Sequence, residues 1–223
     1  MMVMVIILGK KYKLINKKKM KYIYIITICL LMSAYSVNAQ NETIVPIENW
    51  YTVNLSDDIY YFKDVNNYLD KFVGVWVYSN NNTYLKLEII KETHQDMNGG
   101  FSLNLDDFED YIVISMQYKE NGIEKYNSLP FTINRDNPRM SGNNIDTDNT
   151  NKIKITYKEP SIVSCTRLRR GDLVLEFSSG SPDQLIWTRI DEPVNYGWIP
   201  KCPNGVVDDT PFLIPANLIL TKQ

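Results

Sequence analysis

Asp64–Lys91 reads DVNNYLDKFVGVWVYSNNNTYLKLEIIK, and the choice of fold turns on it. An aspartate carboxylate accepts from the free N–H groups of a first helical turn, so Asp64 is placed to cap a short helix. Val65, Tyr68, Leu69 and Phe72 then fall at i, i+3, i+4 and i+7, one apolar stripe over two turns. At Gly74-Val75-Trp76 the period changes to two. Val73–Ser79 is predicted as a strand, Asn80–Asn82 as a turn and Thr83–Lys91 as the returning strand. Leu85, Leu87 and Ile89 face one way on that strand, Lys86 and Glu88 the other. Val73–Ser79 is apolar on both sides, which a strand with one wet face is not. Its outer side therefore needs a cover, and the preceding segment is the nearest candidate.

That segment, Gln40–Lys63, is a lead-in with scattered apolar residues and no clear period. Before it, Lys17-Lys18-Lys19 and Lys21 precede the apolar run Tyr22–Tyr35, and Val37-Asn38-Ala39 puts small residues at −3 and −1 of a cut before Gln40. This is the pattern of a secretory signal peptide. The run is shorter than the roughly 20 residues a membrane span needs, so no span is expected after cleavage. Translation is expected to start at Met20. Cys29 follows Ile28, which is not the small residue a lipoprotein signal requires. The expected organisation is a signal over residues 1–39, the lead-in over 40–63 and one domain over 64–223.

Downstream, the alternation continues. Tyr111–Glu120 is a strand, Asn121-Gly122 a tight hairpin turn because both residues tolerate positive φ, and Ile123–Leu129 its return. Lys152–Lys158, Leu173–Ser178, Gln184–Ile190 and Asn217–Lys222 complete about eight strands. Arg135–Asn151 reads as a polar loop, and Asp191–Pro215, with five prolines, as an extended one. Successive hairpins with little helix predict an all-β, antiparallel up-and-down barrel or a related two-sheet fold.

Without the seven lysines before Ala39, 17 basic residues stand against 26 acidic ones, a net charge of −9. Nucleic acids and anionic membranes need Lys and Arg, so neither is an expected partner. Cys165 and Cys202 either join as a disulfide, which export permits, or remain separate thiols.

Catalytic residues are few. His94 is the sole histidine, and no Gly-x-Ser-x-Gly surrounds a nucleophile. No metal or cofactor is expected. Asp106, Asp107, Glu109 and Asp110 could supply paired carboxylates or simply form a solvated acidic loop. Asn144, Asp146 and Asp148 have calcium-loop spacing, but Asn149 and Ile155 stand where Gly and Glu belong. Arg167, Arg169 and Arg170 cluster beside Cys165, able to grip an anion or to balance nearby acids. Trp76, Tyr118, Tyr126, Tyr157 and Trp187 lie on predicted strands. Facing inward they either line a pocket for a small hydrophobic ligand or fill an ordinary core. An eight-stranded barrel permits both.

The short helix leading into Gly74-x-Trp76 resembles the opening of the lipocalins and wider calycins. The resemblance implies an eight-stranded barrel whose tryptophan closes one end beneath a basic side chain just past the last strand; Lys222 stands there, where those families carry arginine. Their second motif, Thr-Asp-Tyr, is missing. The Gly-Val-Trp hairpin, Leu185–Trp187 and Leu220–Lys222 together are similar to an uncharacterised family of small secreted proteins from Gram-negative bacteria. That likeness implies a secreted or periplasmic, lipocalin-like domain and no activity. Two functions stay open: a binding protein for a small hydrophobic ligand, and a structural or interaction protein with a filled barrel.

Overall fold

The computed structural model describes residues 42–53, 59–97, 107–129, 140–157, 159, 171–192 and 211–223, all within one compact unit, Glu42–Gln223. The unit is all-β. Its strands are β1 (Thr43–Pro46), β2 (Tyr60–Lys63), β3 (Gly74–Ser79), β4 (Thr83–Asp96), β5 (Phe108–Glu120), β6 (Ile123–Asn127), β7 (Met140–Gly142), β8 (Asn144–Ile145), β9 (Lys152–Tyr157), β10 (Gly171–Ser178), β11 (Gln184–Asp191) and β12 (Asn217–Lys222). Among the described residues no helix is long and apolar enough to cross a membrane.

The expected eight-stranded antiparallel barrel is corrected here. Twelve strands form a single curled, mixed sheet with the path β1-β2-β5-β4-β3-β12-β11-β10-β9-β8, and β6 and β7 also pair with β5. β1 runs parallel to β2, and β2 parallel to β5. The additional strands come from segments without a clear period. The lead-in supplies β1 and β2 on either side of a 3₁₀ helix, Ile47–Thr52, whose Trp50 packs on Phe62 with ring centres 4.3 Å apart. It therefore lies beyond β5 and does not cover β3. The polar loop supplies β7 and β8. Met140–Gly142 pairs with β5 and Asn144–Ile145 with β9, so one six-residue segment ties together two strands that lie far apart along the sheet path.

The sequence-based strand positions hold. Asn121 (φ 52°) and Gly122 (φ 77°) make the tight turn between β5 and β6. β4 and β5 run longer than expected because the acidic connection continues their ladder past an irregularity between Glu92 and Gln95, where His94 takes φ 52°.

The predicted helix after Asp64 does not form. Asp64 does cap: its Oδ1 and Oδ2 accept from the N–H groups of Tyr68 (2.7 Å) and Leu69 (3.0 Å). However, Asn67 adopts φ 55°, a left-handed conformation that ends right-handed helical propagation. Turns and a three-residue 3₁₀ helix, Asp70–Phe72, take its place. Leu69 and Phe72 still enter the core.

Candidate functional site

The nominated aromatics occupy the inner face of the curled sheet, toward two ends. Trp76 lies where the Asp70–Phe72 turn plugs the sheet. Its Nε1–H donates to the Phe72 carbonyl (2.7 Å), Phe177 meets its ring edge-on at 6.3 Å, and Lys222 Nζ lies 5.1 Å from its ring centre. The tryptophan–basic residue contact implied by the lipocalin resemblance is thus present, made by lysine. Gly74, φ +135°, makes room for it: a β-carbon there would approach Lys222 Cε to 3.0 Å. At φ above zero, a side chain would also strain the backbone.

Toward the other end, Tyr118, Tyr157 and Trp187 come together beneath Pro211–Ala216. The Tyr118 hydroxyl donates to the Leu213 carbonyl (3.1 Å). Tyr157 meets Trp187 at 5.7 Å and Phe212 at 4.9 Å, both edge-on, the favoured arrangement of aromatic quadrupoles. Tyr126, paired with Tyr118 across β5–β6, is half-buried against the same core. Cys165, Cys202 and the three arginines Arg167, Arg169 and Arg170 lie outside the described residues.

Glu159, Arg189, Asp191 and Phe212, which complete this cluster, were not nominated from the sequence. Glu159 accepts from the Tyr157 hydroxyl (2.7 Å) and from the N–H groups of Leu213 (2.7 Å) and Ile214 (3.3 Å). Arg189 lies over Tyr157 and Phe212, donates to the Ile214 carbonyl and binds Asp191 through Nε (2.5 Å) and Nη2 (3.2 Å). Arg189 was legible in principle: Leu185, Trp187 and Arg189 share the inward period of β11. Glu159 and Phe212 carried no such signal. Burial, then the Glu159 carboxylate, push the Tyr157 phenol well above its ordinary range; Arg189 opposes them. Burial works against the Arg189 charge, but Asp191 and Tyr157 outweigh it. The arrangement holds charge in place; it does not activate a nucleophile. Trp187 Nε1 is buried and has no hydrogen-bond partner among the described residues.

The acids near β5 are not a solvated loop. Asp107 and Asp110 are buried, and Asp106 lies outside the described residues. Asp107 accepts from the Tyr60 N–H (2.9 Å). Asp110 accepts from the Tyr61 hydroxyl (2.7 Å) and from the N–H groups of Asp64 (3.0 Å) and His94 (3.0 Å). Their task is to satisfy backbone donors where β2, β4 and β5 diverge. His94 is exposed, as the sequence suggested, yet it is held: its ring stacks on Phe108 at 4.2 Å and its Nε2 lies 3.0 Å from both Glu42 carboxylate oxygens. Burial and Asp110 raise the Tyr61 phenol, so it serves as a donor. Among the described residues no three His, Cys, Asp or Glu side chains converge as a metal ion would require. Asp146 instead shapes a turn, accepting from the N–H groups of Asp148 and Asn149.

Burial raises the Glu109 carboxyl above its usual value, offset in part by a 2.9 Å bond from Asn143. A raised carboxyl means that the folded state holds the proton more tightly. Stability then falls as pH rises from the unfolded pKa through the folded one. Glu109→Gln keeps an acceptor for Asn143 and removes the charge. Urea midpoints should show the variant gaining on the parent between about pH 4 and about pH 7; an equal difference at both would contradict this.

A buried aromatic core inside one curled, mixed sheet defines an all-β domain. A family model matches residues 20–223, and the chain belongs to that family, DUF6705, a family of unknown function. Neither curated proteins nor solved structures gave a match.

Proposed function

We propose that this protein is an exported interaction module whose interior is filled by its own side chains and whose outer surface meets a partner. One observation carries the reading. Side chains lining a void wide enough for water keep accessible surface on their walls. Trp76 and Trp187 keep 0%, Tyr118 1% and Tyr157 3%. Tyr157 and Trp187 touch each other, Trp76 meets Phe177 and the Phe72 carbonyl, and Tyr118 and Tyr157 meet Leu213 and Phe212 of the segment that closes over them. No catalytic role is assigned: the carboxylates, the histidine and the arginine discussed above are engaged in holding the fold.

Export belongs to the same reading and rests on the lysines, the apolar run and the small residues before Gln40. The mature protein is secreted or periplasmic, and its intact mass should begin at Gln40. Recovery of the uncut chain from the inner membrane would overturn this.

The unpartnered Trp187 Nε1 favours a second reading, a small ligand with an acceptor atom entering beneath Pro211–Ala216. A buried donor without an acceptor costs about 1–3 kcal/mol, which such a ligand would recover. Native mass spectrometry of protein purified from its own medium or periplasm decides between the two. The expected spectrum shows the bare mature chain or whole-number multiples of it. A retained small molecule, lost on Trp187→Phe, would replace the filled-interior reading with the ligand one.

A further inference from the structure

The outer face of the sheet is polar where it should be. β4 presents Lys86 and Glu88, β5 presents Gln117 and Lys119, and β9 presents Lys152 and Lys154, as expected for strands with one face in water. Between them the rule breaks. The registers place Val75 and Val77 of β3, Ile219 of β12, Ile186 and Ile190 of β11 and Val174 of β10 outward in one diagonal band. The positions set among them are Thr221, Thr188, Gln184 and Asn217, all uncharged. Ile219 and Ile190 are each 54% exposed. The band continues the two-sided apolarity of Val73–Ser79, whose Val75 and Val77 are only partly buried.

We propose that this band is the contact between two copies of the chain, packed face to face across a twofold axis. The inference rests on the interaction reading above and names its partner. Two features select a second copy. First, the border of the band is balanced, although the mature chain is strongly acidic. Lys86 and Glu88 flank one side. Lys154–Asp172 (2.6 Å) and Lys152–Glu176 (3.5 Å) are ion pairs on the other. A strongly charged partner finds no net charge to address there, whereas a copy brings both signs to each border and escapes the repulsion of two acidic molecules. Secondly, the apolar members of the band are all Val or Ile, whose branched side chains are already stiff. They lose little rotamer freedom on docking and form the kind of surface that sheets use when they stack about 10 Å apart. A twofold makes such a patch its own complement.

The test is sedimentation of the mature full chain from about 1 to about 100 μM, the range in which a modest single-patch contact associates. The parent should shift from monomer to dimer. Ile219→Lys and Ile190→Lys should each weaken the dimer about tenfold or more, while at about 1 μM, where the parent is monomeric, the thermal midpoint stays nearly unchanged because both positions are exposed. Ile123→Lys, at an equally exposed site on β6 away from the band, should leave it intact. A parent that stays monomeric throughout overturns the second-copy proposal, as does a dimer that Ile123→Lys weakens equally or that both band variants leave unchanged. The filled-interior reading is judged separately, by whether the native mass spectrum carries a small molecule.

Discussion

Replacing Trp76 with alanine is expected to remove about 3–5 kcal/mol of stability, through lost apolar burial and the cavity left behind. The side chain has no accessible surface. It is held by its hydrogen bond to the Phe72 carbonyl, by the edge of Phe177 and by Lys222. The surroundings cannot collapse easily into the gap, because Gly74 and the Asp70–Phe72 turn are themselves fixed by this packing. The loss is a large share of the roughly 5–15 kcal/mol that holds a domain together. Trp76→Phe separates the two contributions. It keeps most of the ring and leaves the Phe72 carbonyl without its donor, a cost of about 1–3 kcal/mol. Lys86→Ala, on the outer face, should stay within about 0.5 kcal/mol. His94→Ala should cost about 1 kcal/mol, the worth of its stack on Phe108. Urea melts of the four variants give the order. A Trp76→Ala loss below about 1 kcal/mol, the size of a surface change, would mean that this end of the core is not plugged.

Asp64→Ala should be comparably damaging, at about 3–5 kcal/mol, the usual cost of leaving a buried ion pair with one member. The Asp64 side chain is fully buried, and four groups depend on this residue. Lys91 Nζ lies 2.8 Å from Oδ2, the N–H groups of Tyr68 and Leu69 are capped by the carboxylate, and the backbone N–H of Asp64 itself binds Asp110. The alanine variant keeps only the last. Asp70 still reaches Lys91 at 2.7 Å, but from a largely exposed position where an ion pair contributes little. The pH dependence has a definite sign. Burial acts to lower the Lys91 pKa, yet its bonds to Asp64 and Asp70 outweigh this and raise it. A raised lysine contributes stability that is complete below its unfolded pKa and lost as pH rises through the folded one. The parent should therefore lose part of its advantage over Asp64→Ala in alkaline solution. A difference that stays constant from neutral to strongly alkaline pH would show that the ion pair with Lys91 contributes nothing.

Strand by strand, the interior of this protein was open to sequence reasoning. A residue alternating with period two shares a face with its neighbours two places away, and so Tyr118 and Tyr157 fell in the apolar rows of their strands, whereas Trp76 and Trp187 lie on strands with apolar residues on both faces. Asn121-Gly122 announced its turn because few other pairs accept that backbone. Whether those aromatics enclosed a void or filled it could not be read, since that depends on segments that close over the ends of the sheet. Pro211–Ala216 and Glu159 have no periodicity, and their positions are set by hydrogen bonds to residues far along the chain. The same holds for the buried acids. A run such as Asp106–Asp110 looks solvated because charge prefers water, and only the tertiary structure brings the N–H groups of Tyr60, Asp64 and His94 to Asp107 and Asp110.

By itself the sequence determined the all-β class, the hairpin from Gly74 to Lys91 and the alternating rows of the main strands. All of these follow from local periodicity and turn chemistry. The tertiary structure decided the rest. It turned the lead-in into two parallel-paired strands, ended the predicted helix at Asn67, split Met140–Ile145 between β5 and β9, and left Ile190 and Ile219 exposed. Each of these depends on which distant backbone group or side chain a residue meets, and a single chain of letters does not carry that information.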